Sequence, residues 1–260
     1  MKRNGLVLLA SLGALVVGAV PAASTAVVPA ATCWGQPLTL PAGTSTGTAG
    51  DDVMAGTAGA DTLYGLGGND FICGGGGDDI IYGGPGADRL RGGAGNDRLY
   101  GQAGCDWLQG QDGNDVLSFG SAVPGCASTA EGGSGRDRFV IDREGDNEIF
   151  GGPGRDTIDF SAAPAGMWVD LALGQFGSLA APPIGSFAWE VENVRGTGFA
   201  DDLNGNGLAN RLYGNGGDDV LRGSLGDDFL DGGSGDDSLY GGLGTDTCLS
   251  GTVVVGCELP

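Results

Sequence analysis

Histidine is absent from the 260-residue chain, and the only lysine is Lys2. Without an imidazole there is no Ser-His-Asp or Cys-His relay, no HExxH zinc site and no histidine general base, so the hydrolases built on those devices are excluded. With no lysine beyond Lys2 there is no G-x-x-x-x-G-K-[ST] phosphate loop, and G-x-G-x-x-G does not occur either. Positive charge is scarce throughout, 12 basic against 33 acidic residues for a net charge of -21. That balance argues against nucleic acid or anionic lipid as a partner and in favour of cations.

Long apolar runs are also missing, with one exception. Lys2 and Arg3 precede an uncharged apolar stretch from Leu6 to Val20, followed by small residues through Ala26. This is the layout of a secretory signal peptide, 1–26, with cleavage after Ala26 at a Ser24-x-Ala26 site and Ala22, Ala23 and Ala30 as alternatives. A membrane anchor is the competing reading; the stretch is short of the ~20 apolar residues a spanning helix needs, and no positive flank follows it. Cleavage removes two positive charges and no acid, deepening -21 to -23.

The six cysteines, Cys33, Cys73, Cys105, Cys126, Cys248 and Cys257, all follow those cleavage sites. An even number in an exported chain favours disulfides over thiol chemistry, and no CxxC pair or His supports a zinc site. Six cysteines allow about 15 pairings, among which sequence does not choose. Local loop closure favours Cys248 with Cys257 and Cys105 with Cys126, leaving Cys33 with Cys73.

What the chain has in abundance is glycine, 56 residues. That content fits either a disordered tract or a repeat with glycine at fixed turn positions, and periodicity decides between them. From Gly47 the sequence reads in nines as GTAGDDVMA, GTAGADTLY, GLGGNDFIC, GGGGDDIIY, GGPGADRLR, GGAGNDRLY, GQAGCDWLQ and GQDGNDVLS, ending at Ser118. Each unit has Gly at its first and fourth positions, Asp at its sixth (Asp52, Asp61, Asp70, Asp79, Asp88, Asp97, Asp106 and Asp115) and a large apolar residue at its eighth. A second run from Gly196 contributes Asp201, Asp219, Asp228, Asp237 and Asp246. Its first two units are degraded, with Phe199 and Leu208 in place of Gly and Asn210 in place of Asp. Isolated units at Gly132 and Gly151 add Asp137 and Asp156. Fifteen of 27 aspartates thus share one phase of one repeat, which a disordered acidic tract has no reason to produce.

Two glycines per unit permit left-handed and closely approached backbone, turning carbonyl oxygens inward with an Asp at the turn's exit. The remaining three residues suffice for a short strand whose central side chain faces a core. Hard oxygen donors without nitrogen or sulfur favour Ca²⁺ over zinc or copper, and a flexible cage disfavours Mg²⁺. A purely structural role, with Asp capping turns, is less suitable, because Asn and Ser would serve as well. The position-five acids Asp51, Asp78, Asp218, Asp227 and Asp236 read as solvated charge.

The units resemble the RTX, or hemolysin-type calcium-binding, nonapeptide G-G-x-G-x-D-x-U-x over roughly 130 residues. The stretches DTIDFSAAPAGMWVDLALG and WEVENVRGTG bear a looser likeness to segments that lead into such arrays. The resemblance implies an all-β, right-handed parallel β-roll in two arrays joined by a short irregular or β segment. Two nonapeptides would make one coil, pairing Asp52 with Asp70, Asp61 with Asp79 and Asp70 with Asp88 about a shared gap. That arrangement would make all fifteen aspartates metal ligands, with at most six inter-coil sites in the first array and at most four in the second, fewer given Asn210.

The implied organisation is a cap at 27–46, an array at 47–118, imperfect repeats and a connecting segment at 119–195, an array at 196–249 and a cap at 250–260. Within the connecting segment, Phe160 to Arg195 is expected to form strands packed on the end of a roll. One apolar residue per nonapeptide buries too little surface to order so glycine-rich a backbone, so calcium binding is expected to drive folding. The expected function is that of a secreted, non-catalytic calcium-binding protein with a structural or surface role. Its expected partners are calcium ions and cell-surface or matrix components, with no nucleic acid and no stable membrane span. Two rival readings are a calcium-dependent adhesin using Trp168 and Trp189, and a polysaccharide-acting enzyme using the carboxylates Glu190 and Glu192.

Overall fold

A computed structural model describes residues 32–120, 126–142, 145–180 and 186–258. The expected signal peptide, 1–26, lies outside these residues. The described chain is an all-β parallel solenoid of about 11 windings without a helix. No helix among the described residues is long and apolar enough to cross a membrane.

Each nonapeptide supplies one turn and one short strand, and successive strands alternate between two sheets. Strands such as Phe71–Gly76, Arg89–Ala94 and Trp107–Asp112 enter a thirteen-stranded sheet, while Ile80–Pro85, Arg98–Ala103 and Val116–Ser118 enter a ten-stranded one. Neighbouring strands pair in parallel with a register of two nonapeptides, as in Ile72 opposite Leu90 and Ile81 opposite Leu99. Because side chains alternate along a strand, the eighth-position residue alone points between the sheets. Met54, Leu63, Ile72, Ile81, Leu90, Leu99, Leu108 and Leu117 are accordingly buried, and Leu203, Leu212, Leu221, Leu230, Leu239 and Cys248 repeat the pattern.

The segment between the arrays departs from the expectation that Phe160 to Arg195 packs on the end of a roll. Its strands run within both sheets. Val116–Ser118, Arg138–Val140, Thr157–Asp159, Asn193–Arg195 and Arg211–Tyr213 are consecutive parallel neighbours in the ten-stranded sheet. In the thirteen-stranded sheet, Gln175–Ser178 lies antiparallel between Met167–Asp170 and Ser186–Trp189, the only reversal in either large sheet among the described residues. The physical reason is edge pairing: each repeat array ends in open strand edges, and in-register strands satisfy them where packing against an end would not. The core thickens here, where Phe119, Phe139, Ile141, Phe160, Met167 and Phe176 are all buried and Phe160 packs on Phe176 at 5.4 Å between ring centroids.

Both ends are covered. Thr32–Cys33 and Gln36–Pro37 form a small antiparallel pair, and the chain then runs beside the first strand, with Thr39 N–H donating to the Val53 carbonyl and Gly43 N–H to that of Ala55. Trp34 lies beneath the Arg91 guanidinium and packs at a tilt against Trp107. At the other end Val253–Val255 pairs in parallel with Ser238–Leu243. The disulfides are Cys33–Cys73, Cys105–Cys126 and Cys248–Cys257, the pairing that short-loop closure favours.

Candidate metal centre

The interior turns owe their shape to left-handed backbone at the second position, which Leu66, Gln102, Gln111, Asn215 and Ser224 adopt as well as glycines, and to glycine at the fourth. At the second position the backbone is left-handed, with φ of +112° at Gly75 and +117° at Gly84. At the fourth the preceding winding is so near that a Cβ on Gly86 would lie 1.7 Å from the Gly68 carbonyl oxygen.

This tight stacking superposes the sixth-position aspartates on two edges of the solenoid. Asp52, Asp70, Asp88, Asp106, Asp201, Asp219 and Asp237 precede strands of the thirteen-stranded sheet; Asp61, Asp79, Asp97, Asp115, Asp137, Asp156, Asp228 and Asp246 precede strands of the ten-stranded one. Within each edge the side chains form a ladder, in which one Asp backbone N–H donates to Oδ1 of the Asp in the following winding. The donor–acceptor distance is 2.8 Å for Asp52 to Asp70, 2.7 Å for Asp61 to Asp79 and 2.9 Å for Asp70 to Asp88. The same bond links Asp97 to Asp115, Asp115 to Asp137 and Asp201 to Asp219.

Oδ1 is therefore used within the protein, and Oδ2 is not. Oδ2 is buried without a hydrogen-bond partner in Asp70, Asp79, Asp88, Asp97, Asp106, Asp115, Asp137, Asp156, Asp219, Asp228, Asp237 and Asp246. A buried carboxylate oxygen in that condition is costly unless a proton or a cation compensates it. Burial pushes Asp88, Asp115, Asp156 and Asp219 up to about 7, and Asp70, Asp79 and Asp106 up to about 6. The backbone hydrogen bond pulls the other way, while like-charged neighbours, such as Asp106 and Asp70 around Asp88, add to the rise.

A carbonyl oxygen shares most of these places. A Cβ added to first-position Gly74 would fall 2.2 Å from Asp79 Oδ2 and 2.7 Å from the Gly92 carbonyl oxygen. On Gly214 it would fall 2.1 Å from Asp219 Oδ2 and 2.5 Å from the Gly232 oxygen. The first-position glycine thus keeps open a cradle lined by a carboxylate of its own winding and a carbonyl of the next. Among the described residues no three His, Cys, Asp or Glu side chains cluster, so an ion held here would draw on carbonyls as well as carboxylates. An all-oxygen donor set with flexible spacing suits Ca²⁺, whose charge would neutralise the stacked acids.

Three of the aspartates are arranged otherwise. Asp52 Oδ2 accepts from Thr48 N–H at 2.6 Å and from Thr48 Oγ1 at 2.9 Å. Asp61 Oδ2 accepts the same pair from Thr57, again at 2.6 and 2.9 Å. Asp201 Oδ2 accepts from Thr197 N–H at 2.7 Å, and its Oδ1 from Met167 N–H at 2.6 Å. Asn210 in the next unit accepts from Asn206 N–H at 2.8 Å and donates through Nδ2 to the Glu192 carbonyl at 2.8 Å. The opening units of both arrays thus close their own carboxylates or amides with protein donors. For the three aspartates the signal was present in the sequence as Thr at the second position, which no other unit has, whereas Asn206 carries none, because Asn215 holds the same position in the unit of Asp219.

Residues outside the repeat phase terminate the ladders. Asp106 N–H donates to Ser128 Oγ at 3.1 Å, Asp156 N–H to Glu192 Oε2 at 2.8 Å, and Asp246 N–H to Glu258 Oε2. The position-five acids form a second, exposed ladder: Asp51 Oδ1 accepts from Asn69 N–H at 2.7 Å and Asp78 Oδ1 from Asn96 N–H at 2.8 Å. Asp218 and Asp227 do the same for Asp236 and Thr245.

A family model described as the RTX calcium-binding nonapeptide repeat, in four copies, matches residues 46–81, 82–117, 131–162, 195–230 and 213–248. No curated protein matches the chain.

Proposed function

The chain belongs to the RTX calcium-binding nonapeptide repeat family, and from that premise we propose that it is a secreted protein whose roll becomes ordered on binding several calcium ions and then serves a structural or surface-interaction role outside the cell. The observation that carries this reading is the row of twelve buried Oδ2 atoms without donors, each in a cradle that a first-position side chain would fill. A fold with that many uncompensated carboxylates is unfavourable at neutral pH, and a divalent cation between windings turns the repulsion into cohesion. Extracellular calcium modules bind at about 10⁻⁴ to 10⁻³ M, so order would follow export. Three disulfides, Cys33–Cys73, Cys105–Cys126 and Cys248–Cys257, suit the same oxidising compartment. The deciding experiment is calorimetric calcium titration coupled to circular dichroism on the mature chain. Strand content should be small in EDTA and rise with calcium uptake; equal strand content in EDTA and in millimolar calcium would refute the reading.

The protein acts in this proposal by binding rather than catalysis. Glu192, the more buried of the two carboxylates weighed for glycoside cleavage, accepts from Asp156 N–H as a ladder terminus. Turnover of a polysaccharide panel that fails in Glu190→Gln would overturn that part. A calcium-dependent adhesin is the second reading, favoured by Trp189, 39% exposed and stacked on Phe150 at 4.8 Å and Phe187 at 5.3 Å. Trp168, half-buried against Gly177, contributes less surface. Loss of cell or glycan binding in Trp189→Ala, with the fold retained, would support it.

A further inference from the structure

The strongest concentration of positive charge in this acidic protein lies on the outer face of the ten-stranded sheet. Arg136, Arg138, Arg155, Arg195 and Arg211, five of the chain's eleven arginines, line one cleft of about 300 Å³ together with Tyr213. They come from four separate stretches of sequence, and the solenoid register assembles them. Arg138, Thr157, Asn193 and Arg211 are opposite one another in consecutive strands, so two short side chains form a floor between two long ones. Arg136 and Arg155 rise from the adjoining turns at the fifth position, where no other unit has a basic residue.

The cleft is held in place. Asp159, only 1% exposed, accepts from Arg138 Nε at 2.8 Å and Nη2 at 2.6 Å, and lies 3.7 Å from Arg195 Nε. The Arg195 guanidinium is over the Tyr213 ring at 5.5 Å. One buried carboxylate orients two guanidiniums, and among the described residues Arg136, Arg155 and Arg211 make no ion pair. All five arginines are exposed.

We propose that this cleft binds an acidic saccharide, a short stretch of glycan bearing carboxylate or sulfate groups. Guanidinium forks match such oxyanions, and they are distributed along a row of four strands, about 14 Å at the usual strand spacing, instead of converging on a single point. That spread suits several anionic groups along an extended ligand better than one free ion. The basic surface is confined to a few windings of a chain whose net charge is -21, which repels a long polyanion such as nucleic acid. This goes beyond the calcium reading above and requires only the folded roll.

The test is binding by the full mature chain in millimolar calcium, with a uronate trisaccharide, its sulfated counterpart, a neutral trisaccharide and a single-stranded DNA oligomer as probes. The acidic saccharides should bind with an affinity that falls as salt rises, and the neutral one should not bind. Arg155→Gln and Arg211→Gln should each weaken binding by about tenfold, the loss of one charge-assisted contact, with unchanged circular dichroism. Arg98→Gln, outside the cleft, should leave binding as it was. Binding that survives both cleft substitutions, as calcium bridging would, overturns the proposal, as does equal affinity for the neutral saccharide or for DNA. Loss of strand signal in EDTA bears on the calcium reading, whereas failure of a folded, calcium-loaded protein to bind bears on this one alone.

Discussion

The opening and interior windings of each array share a sheet register and differ in the turn: the second position is left-handed in interior units, as at Leu66, Gly75 and Asn215, but not at Thr48, Thr57, Thr197 or Asn206, and the carboxylate is satisfied differently. At Asp61 the threonine of the same unit donates twice to Oδ2, while at Asp79, one winding later, the corresponding oxygen is buried without a donor. The second array repeats the contrast, with Asp201 and Asn210 closed and Asp219 and Asp228 open. One solenoid therefore holds two kinds of turn, one complete in itself and one whose buried Oδ2 has no protein donor. The difference is local to each turn, and each array begins with the self-sufficient kind.

The largest expected effect is that of calcium removal on amide exchange. In EDTA, residues 65–118 and 214–249 should lose protection, while 157–180 and 186–213, which combine the thick core around Phe160 and Phe176 with the closed turns of Thr197 and Asn206, should retain slowly exchanging amides. Uniform loss across the chain would erase the distinction. Next in size is a pair of glycine substitutions. Gly104→Ala puts a Cβ 1.4 Å from the Gly86 carbonyl oxygen at φ +148°, whereas a Cβ on Gly50, in an opening unit, meets nothing nearer than Thr48 Oγ1 at 3.9 Å. In calcium-saturated urea unfolding the first should cost about 3 kcal/mol or more and the second within about 0.5 kcal/mol.

Acid should partly replace calcium in the interior windings. Burial raises Asp88, Asp115, Asp156 and Asp219 from 3.8 to about 7, so the calcium-free fold takes up protons that the unfolded chain does not. A raised carboxyl contributes stability that is fully present below the unfolded value near 3.8 and is lost as pH rises through about 7. In EDTA, strand ellipticity should accordingly be larger at pH 5 than at pH 8; the opposite order would contradict the assignment. The smallest effect is expected of Thr57→Val, which removes one hydroxyl from Asp61 Oδ2 and keeps the backbone bond. It should cost about 1 kcal/mol in thermal unfolding. Thr57→Gly should add to the calcium taken up per chain, and an unchanged stoichiometry would show that the threonine does not set the kind of turn.

Legibility in the sequence followed periodicity. Wherever the nine-residue phase ran unbroken, the core residue at the eighth position and the stacked aspartate at the sixth could be located, down to Cys248 and Asp246 at the far end. Between the arrays the register steps from Val116 to Arg138 and from Thr157 to Asn193, and insertions of such irregular length conceal strands that still belong to the same sheets. The donors of Thr48, Thr57 and Thr197 were in plain sight but indistinguishable from spacer residues until the turn geometry aimed them at Oδ2. Ser128, Glu192 and Glu258 carry no repeat signature, and the arginine cleft draws on four distant stretches, so only the folded register reveals either.

The ladders have a polarity. In the buried aspartate ladders every rung offers its N–H to the winding on its C-terminal side and accepts one from the winding on its N-terminal side, the reverse of the exposed position-five ladder, so trimming the two ends is not equivalent. Shortening the N-terminus removes donors and strands no amide, whereas clipping off Glu258 leaves the Asp246 amide bare. A nascent chain emerging N-terminus first would hold each finished coil provisional until the one behind it arrives, and Glu258 would act as the latch of its ladder.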